Sequence, residues 1–285
     1  MRRNRDNTQV TEQSLNSKPS SPRFTKKQWL MLATSALVIA VFLFSPPVTL
    51  LDKTHAIGYA VCHQIPARSF HLAGQPLPLC ARCTGIYLGA LLGIVGMMLM
   101  RRYHSVGLPP PAILITLLAF TGLMGIDGVN SYLSFFPKLL HLYEPQNWLR
   151  LTTGTLHGLA MSAFVFPIMN GGFWHPSWVK AEPVIKNFKE LLLFLVGVSD
   201  IILIVLWEQP FLLYPLALLS TLGVLLMLGI VGTMFVLILT RREGAARTWY
   251  DLILPGAMGL AIAILIIEAM GGIRAILTSA TGLPL

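Results

Sequence analysis

Residues 211–240 read FLLYPLALLSTLGVLLMLGIVGTMFVLILT, an uncharged run stopped by Arg241-Arg242. A bilayer core of about 30 Å takes roughly 20 apolar residues of helix to cross. This run is long enough to span with tilt or an interfacial first turn, while two crossings would each be too short. Similar stretches recur along the chain. Of the 285 residues, 54% are hydrophobic and 12% charged, against about 25% charged in soluble domains. The composition therefore predicts an all-α, polytopic transmembrane helical bundle.

Working outward from that run, about seven spans are expected: 28–51, 83–100, 109–126, 151–173, 191–207, 211–240 and 252–273. Pro46-Pro47 should bend or end the first helix near its outer end. Pro109, Pro110 and Pro111 open the third, where a missing N–H costs least. Trp249 and Tyr250 sit like interfacial anchors ahead of the seventh. Residues 1–27 are polar and basic, and the reading there is a disordered cytoplasmic tail that leads into an uncleaved anchor.

The net charge of +9 raises the question of a nucleic-acid partner, and position answers it. Seven of the 21 Lys and Arg lie in the first 27 residues and most others cap apolar runs, which is how topology is set in a lipid bilayer. No nucleic-acid partner is expected. With the N-terminus inside, the inner segments carry 15 Lys and Arg and the outer ones six. The bias places the N-terminus inside and the loops around residues 62–83 and 127–150 outside.

All three cysteines fall in one of those outer loops, at Cys62, Cys80 and Cys83, beside His63 and His71. Cys80-Ala81-Arg82-Cys83 enters the second span, so both thiols sit near a helix N-terminus, where the dipole and Arg82 favour thiolate. Thiolates bind metals and attack disulfides. Cys62, His63, Cys80 and Cys83 make a Cys3His set suited to zinc, with His71 as a substitute for His63. The same thiols suit a membrane thiol–disulfide oxidoreductase working through Cys80 and Cys83. A stapling disulfide from Cys62 to one CxxC thiol is the plainest alternative.

Behind the CxxC, Gly85, Gly89 and Gly93 share a helix face and predict close helix packing. A second polar group comprises Asp127 and Asn130, then Asn147, Arg150 and His157. Arg150, Thr153, Gly154 and His157 recur at helical spacing, and Asp127 ends the third span on the same side. An Asp127–Arg150 ion pair is expected, either as a structural clamp or lining a polar pocket beside the cysteine loop. Asp200 and Glu268 are intramembrane acids that a transporter or lipid-handling protein would use.

The motif Cys62-His63-Gln64, Arg68-Ser69-Phe70 and Pro78-Leu79-Cys80-Ala81-Arg82-Cys83-Thr84-Gly85-Ile86-Tyr87-Leu88-Gly89 resembles the signature of a prokaryotic integral membrane protein family, domain of unknown function 2085. Asp127-Gly128 and Asn147 to Gly154 look like its second block, and the likeness covers about residues 55–170. It implies a membrane location, here the plasma membrane, and leaves the chemistry open. No glycine-rich nucleotide loop, flavin fingerprint, G-x-S-x-G or H-E-x-x-H motif accompanies it. Enzyme and structural roles both stay open.

Overall fold

The computed structural model describes residues 25–136 and 142–281. The expected tail lies outside the described residues as far as position 24, as does Lys138. Eight α-helices make up the described fold: α1 Lys26–Phe44, α2 Leu50–Val61, α3 Ala81–Leu99, α4 Pro111–Leu133, α5 Asn147–Phe173, α6 Phe188–Leu206, α7 Leu213–Leu239 and α8 Ile253–Thr281. Four short strands complete it: β1 His71–Leu72, β2 Gln75–Pro76, β3 Ser105–Gly107 and β4 Lys180–Pro183. The protein is an all-helical bundle.

Six helical segments are long and apolar enough to cross a membrane, those containing α1, α3, α4, α5, α7 and α8. The expected fifth span corresponds to α6, whose 19 residues include Lys189, Glu190 and Asp200 and which falls outside that set. The run that opened the sequence reading is one helix, α7, preceded by a single 3-10 turn at Pro210–Leu212.

Several boundaries differ from the sequence reading, each for a local reason. The first helix ends at Phe44 instead of continuing to residue 51, because Ser45 takes extended backbone ahead of Pro46-Pro47. A separate helix, α2, then forms where a loop was expected. Thr49 caps it by accepting from the Asp52 N–H at 3.2 Å. Buried Lys53 donates through Nζ to the Phe42 and Ser45 carbonyls, 2.5 and 2.6 Å away, neutralising the open C-terminal end of α1. The third helix runs on past residue 126 to Leu133, so Asp127 and Asn130 belong to α4 rather than to a connecting loop.

α3 and α5 make the closest helix pair. A Cβ on Gly85 would meet the Leu151 carbonyl oxygen at 2.4 Å, and one on Gly89 would meet that of Thr155 at 2.2 Å. From the other side, a Cβ on Gly158 would stand 2.0 Å from the Ile86 oxygen. Lipid tails are as apolar as leucine, so helix association in a bilayer relies on this close packing more than on hydrophobic transfer. Around the pair a core gathers from Ile94 and Met97 of α3, Ile113 of α4, Phe166 of α5, Phe194 of α6 and Met227 of α7.

The helix ends fall into two groups. At one end, β3 and β4 pair in parallel, and buried Asn170 donates to the Arg102 and Ser105 carbonyls at 3.0 and 2.8 Å. His104, Trp174 and Trp249 stack edge to face there. At the other end lie α2, the β1–β2 hairpin and the first turns of α3 and α5. The candidate site is at this second end.

Candidate functional site

Cys62 lies 18 and 21 residues before Cys80 and Cys83, and the three sulfurs meet because the chain between them doubles back. Ala73 and Gly74 both take positive φ, 51° and 76°, making the two-residue turn that joins β1 to β2. Gly58 of α2 allows the returning strand to approach, since a Cβ there would sit 2.0 Å from the Pro78 oxygen. Gln64 is also left-handed, at φ 51°, a conformation that costs a non-glycine residue about 1 kcal/mol or more. Its side chain offsets that by donating to the His55 and Pro78 carbonyls at 3.0 and 2.8 Å. Cys62, at the end of α2, is thereby laid against Cys80 at the start of α3.

The ligand atoms of Cys62, Cys80 and Cys83 all lie within 4.8 Å of one another, and none is in a disulfide. The group can hold a metal ion. Cys62 is buried, and Leu79, Ile264 and Ile267 wall the cluster with apolar surface. The Cys80 backbone N–H donates to Cys62 Sγ at 3.2 Å. The Cys80 thiol, the Cys83 thiol and that N–H together pull the Cys62 thiol down to about 2, overcoming its burial. Cys80 is correspondingly raised, chiefly by its hydrogen bond to Cys62. His63 is exposed and stands outside the sulfur group, and His71 is exposed as well.

Arg274, from the distant end of α8, closes this site. Its Nη1 donates to the Tyr59 and Cys62 carbonyls at 2.6 and 2.5 Å, its Nη2 to the His63 carbonyl at 3.0 Å, and its guanidinium stacks on Tyr59. A cation at the negative end of α2 satisfies carbonyls that have no helical partner. Sequence reading counted Arg274 only toward topology. A lone cation in an otherwise apolar helix is itself a signal of a specific partner.

Arg82, between the two CxxC thiols, turns to the other side of α3. Its Nη2 bonds Asp127 Oδ2 and its Nε reaches the same oxygen at 3.2 Å. The expected Asp127–Arg150 pair is therefore replaced by Asp127–Arg82. Because α4 extends through Asp127, its carboxylate faces the first turn of α3. Tyr143 Oη donates to the other carboxylate oxygen at 2.9 Å. Burial first, and then that bond to a carboxylate, pushes the Tyr143 phenol up to about 12. Asn130 uses both ends of its amide on the neighbouring loop, donating to the Tyr143 carbonyl at 2.8 Å and accepting from Leu142 N–H at 2.6 Å.

Arg150 instead donates to Ser131 Oγ at 3.4 Å and to Asn147 Oδ1 at 2.9 Å, while Asn147 Nδ2 reaches the Ala67 carbonyl at 3.3 Å. Arg68 donates to the Ser131 carbonyl at 2.9 Å and lies over the Phe135 ring. The sequence marks neither Tyr143 nor the meeting of Arg68 with Ser131, because Arg68 lies in a 3-10 turn, Ser131 in α4 and Tyr143 in a connection, and no spacing rule links them. His157 does not join the group. Two turns along α5, its Nδ1 meets Thr121 Oγ1 at 3.3 Å. Asp200 and Glu268 are exposed on α6 and α8, and neither belongs to the sulfur group.

Comparison with known proteins finds relatives of the sequence. The pattern of the family described as "Predicted membrane protein (DUF2085)" matches residues 62–164, which take in the three cysteines, Asp127 and Arg150. An uncharacterized protein of Methanocaldococcus jannaschii is 30% identical over 155 residues, covering 50% of this chain and 93% of the relative. Another, from Methanothermobacter thermautotrophicus, is 32% identical over 102 residues, covering 36% of this chain and 81% of the relative. No solved structure matches the chain.

Proposed function

This chain belongs to the DUF2085 family of predicted membrane proteins, and from that premise we propose that it is a multi-pass plasma-membrane protein whose outward-facing end carries a zinc site made by Cys62, Cys80 and Cys83. The observation that carries the reading is the convergence of three unbridged sulfurs within 4.8 Å. Thiolates about 2.3 Å from a tetrahedral zinc stand roughly 3.8 Å apart, which this spacing accommodates. The Cys80 N–H on Cys62 Sγ is the kind of outer hydrogen bond that orients a thiolate ligand. His63, the expected fourth ligand, lies outside the sulfur group, so a fourth position is left for a water or another donor. The metal would pin the end of α2 to the start of α3, with Arg274 holding the backbone on which Cys62 sits.

The test is zinc content and thiol count on the same protein, purified in detergent without reductant or chelator. About one zinc per chain, with thiols that react only after chelation, is the expected result. Cys62→Ser should lose the metal. A metal-free protein with three freely reactive thiols would reject the reading.

The second reading, a thiol–disulfide oxidoreductase, has its own support in Cys62, whose thiol is held low by the Cys80 and Cys83 thiols and the Cys80 N–H, which favours the thiolate. That thiolate would attack a disulfide of a partner protein and release one partner thiolate. Cys80 or Cys83 would then displace the second, leaving a Cys62 disulfide in this chain and two reduced thiols in the partner. One free thiol per chain in the zinc-free protein, and a mobility shift under reductant lost in Cys62→Ser, would favour this reading over the metal.

A further inference from the structure

Where α1, α7 and α8 meet at the β3–β4 end of the molecule, they leave a cavity of about 650 Å³. It lies between the first turns of α1, the last turn of α7 and the segment from Arg242 to Met258 that leads into α8. The segments containing these three helices are long and apolar enough to cross a membrane. Ala246, part of the cavity wall, donates its N–H to the Phe173 carbonyl at 3.1 Å, which ties the cavity to the helix ends. It therefore sits where the apolar spans give way to polar connections.

The wall has two parts. Met31, Val236, Leu254, Pro255 and Met258 make an apolar floor. From Lys26 to Met31, and from Ile253 to Met258, the helix rise is roughly 8 Å, so this floor reaches into the spans. Lys27, Gln28, Arg242 and Asp251 form the polar part at the helix ends.

The two cations of that polar part are not used by the fold. Among the described residues, neither the Lys27 ammonium nor the Arg242 guanidinium has an ion pair or a hydrogen bond. Asp251, in contrast, is engaged. Its Oδ2 accepts from the Arg247 and Thr248 N–H groups at 3.0 and 2.9 Å and from the Thr248 hydroxyl at 3.0 Å. Two cations and one carboxylate leave the cavity with one net positive charge. Basic residues at span ends are ordinary topology signals. Lys27 and Arg242 differ from their sequence neighbours Lys26 and Arg241 in lining a cavity with an apolar floor.

We propose that this cavity seats a phospholipid with a net-anionic phosphodiester headgroup, its phosphate on Lys27 and Arg242 and the start of an acyl chain on the apolar floor. A single negative charge matches the net charge of the wall, whereas a phosphate monoester, at about −1.5 to −2, exceeds it. A zwitterionic headgroup would bring an ammonium toward two cations. The arginine fork can hold two phosphate oxygens, and the lysine adds a point charge. Basic residues just beyond a span attract anionic lipids in the same way. The volume falls within the roughly 300–1,000 Å³ typical of small-molecule sites. Residues 1–24 are rich in Arg and Lys, so charge disfavours the chain's own N-terminal segment as the occupant. A water-soluble phosphodiester offers the same headgroup chemistry, and the apolar floor is what favours a lipid. The assignment depends neither on the sulfur site nor on which side of the membrane this end faces.

The experiment places the full chain in phosphatidylcholine nanodiscs doped equally with phosphatidylglycerol and phosphatidylethanolamine, and measures by mass spectrometry the lipid retained after detergent extraction. Wild type should retain phosphatidylglycerol about tenfold over phosphatidylethanolamine, the scale of one charge-assisted hydrogen bond. The double variant Lys27→Gln/Arg242→Gln should bring the two lipids to parity, with an unchanged melting temperature showing that it is folded. Lys27→Gln alone, on an exposed first turn, should lower the preference in the same direction. The matched control Lys26→Gln/Arg241→Gln removes the same charge from positions outside the cavity wall and should keep the preference. Equal retention of the two lipids by wild type, or equal loss in the control, overturns the site. In a parallel detergent sample, glycerophosphoglycerol, the headgroup without its acyl chains, is titrated against bound phosphatidylglycerol. Displacement at equal concentration would overturn the lipid assignment.

Discussion

Tyr143 reports on the polar cluster from its edge. Its phenol is held as the neutral O–H by burial and by donation to Asp127, with its pKa raised from about 10 to about 12. An acid whose pKa is raised on folding stabilises the fold fully below its unfolded value and loses that contribution as pH climbs through the folded one. Stability should therefore fall between pH 10 and pH 12. Tyr143→Phe removes the titrating group and should flatten that limb, at the cost of a hydrogen bond worth about 1 kcal/mol at lower pH. Melting curves and tyrosinate absorption across the same range check both parts. An unchanged alkaline limb in Tyr143→Phe would mean that another group controls it. The sequence offered no sign of this residue, since nothing in a polar connection marks which phenol will find a carboxylate across the fold.

At the level of elements, the glycines divide into two kinds that look alike in sequence. Gly89 lies against the Thr155 backbone, where a methyl group would stand 2.2 Å from a carbonyl oxygen, whereas Gly229 on α7 faces open space. Gly89→Ala should force α3 and α5 apart and destabilise by about 1–3 kcal/mol, the usual cost of overpacking. Gly229→Ala should be neutral or stabilising by up to about 1 kcal/mol, because it adds helix propensity and meets nothing. Thermal melts of the two variants in the same detergent separate the cases, and a destabilised Gly229→Ala would count against the packing described. The regular spacing of Gly85, Gly89 and Gly93 made the tight face legible in advance, since spacing along one helix is a local property. The apolar runs were legible for the same reason. What escaped were features set by distant partners. Helix α2 has a Thr49 cap, but a sequence of mixed polarity such as Asp52-Lys53-Thr54-His55 carries no strong helical period. The three cysteines could be grouped because they were close in the chain. The choice of Arg82 over Arg150 as the partner of Asp127 depended on how far α4 continued, and helix ends are where sequence signals are weakest.

For the whole molecule, the two ends differ in how they use their charges. At the end bearing the cysteines, the cations are committed to the fold: Lys53 to the carbonyls ending α1, Arg82 to Asp127, Arg150 to Asn147 and Arg274 to the carbonyls ending α2. At the opposite end, Arg101, Arg241, Arg242 and Arg247 border the apolar helices, and Arg102 and Lys186 meet Glu182 at the protein surface. Topology responds to Lys and Arg in short segments flanking the spans, so the second end carries the signal for retention inside. We accordingly propose that the N-terminus and the β3–β4 end are cytoplasmic, and that the cysteine and arginine clusters face outward. Neutralising Arg241 and Arg242 should weaken this orientation, while Arg274→Gln should leave it intact because that cation is spent on backbone carbonyls. Paired reporters at the C-terminus, one active only outside and one only inside, measure the outcome. An inside signal from the unaltered chain would reverse the topology and put the sulfur cluster in a reducing compartment, where a metal role would stand and a stable stapling disulfide would not.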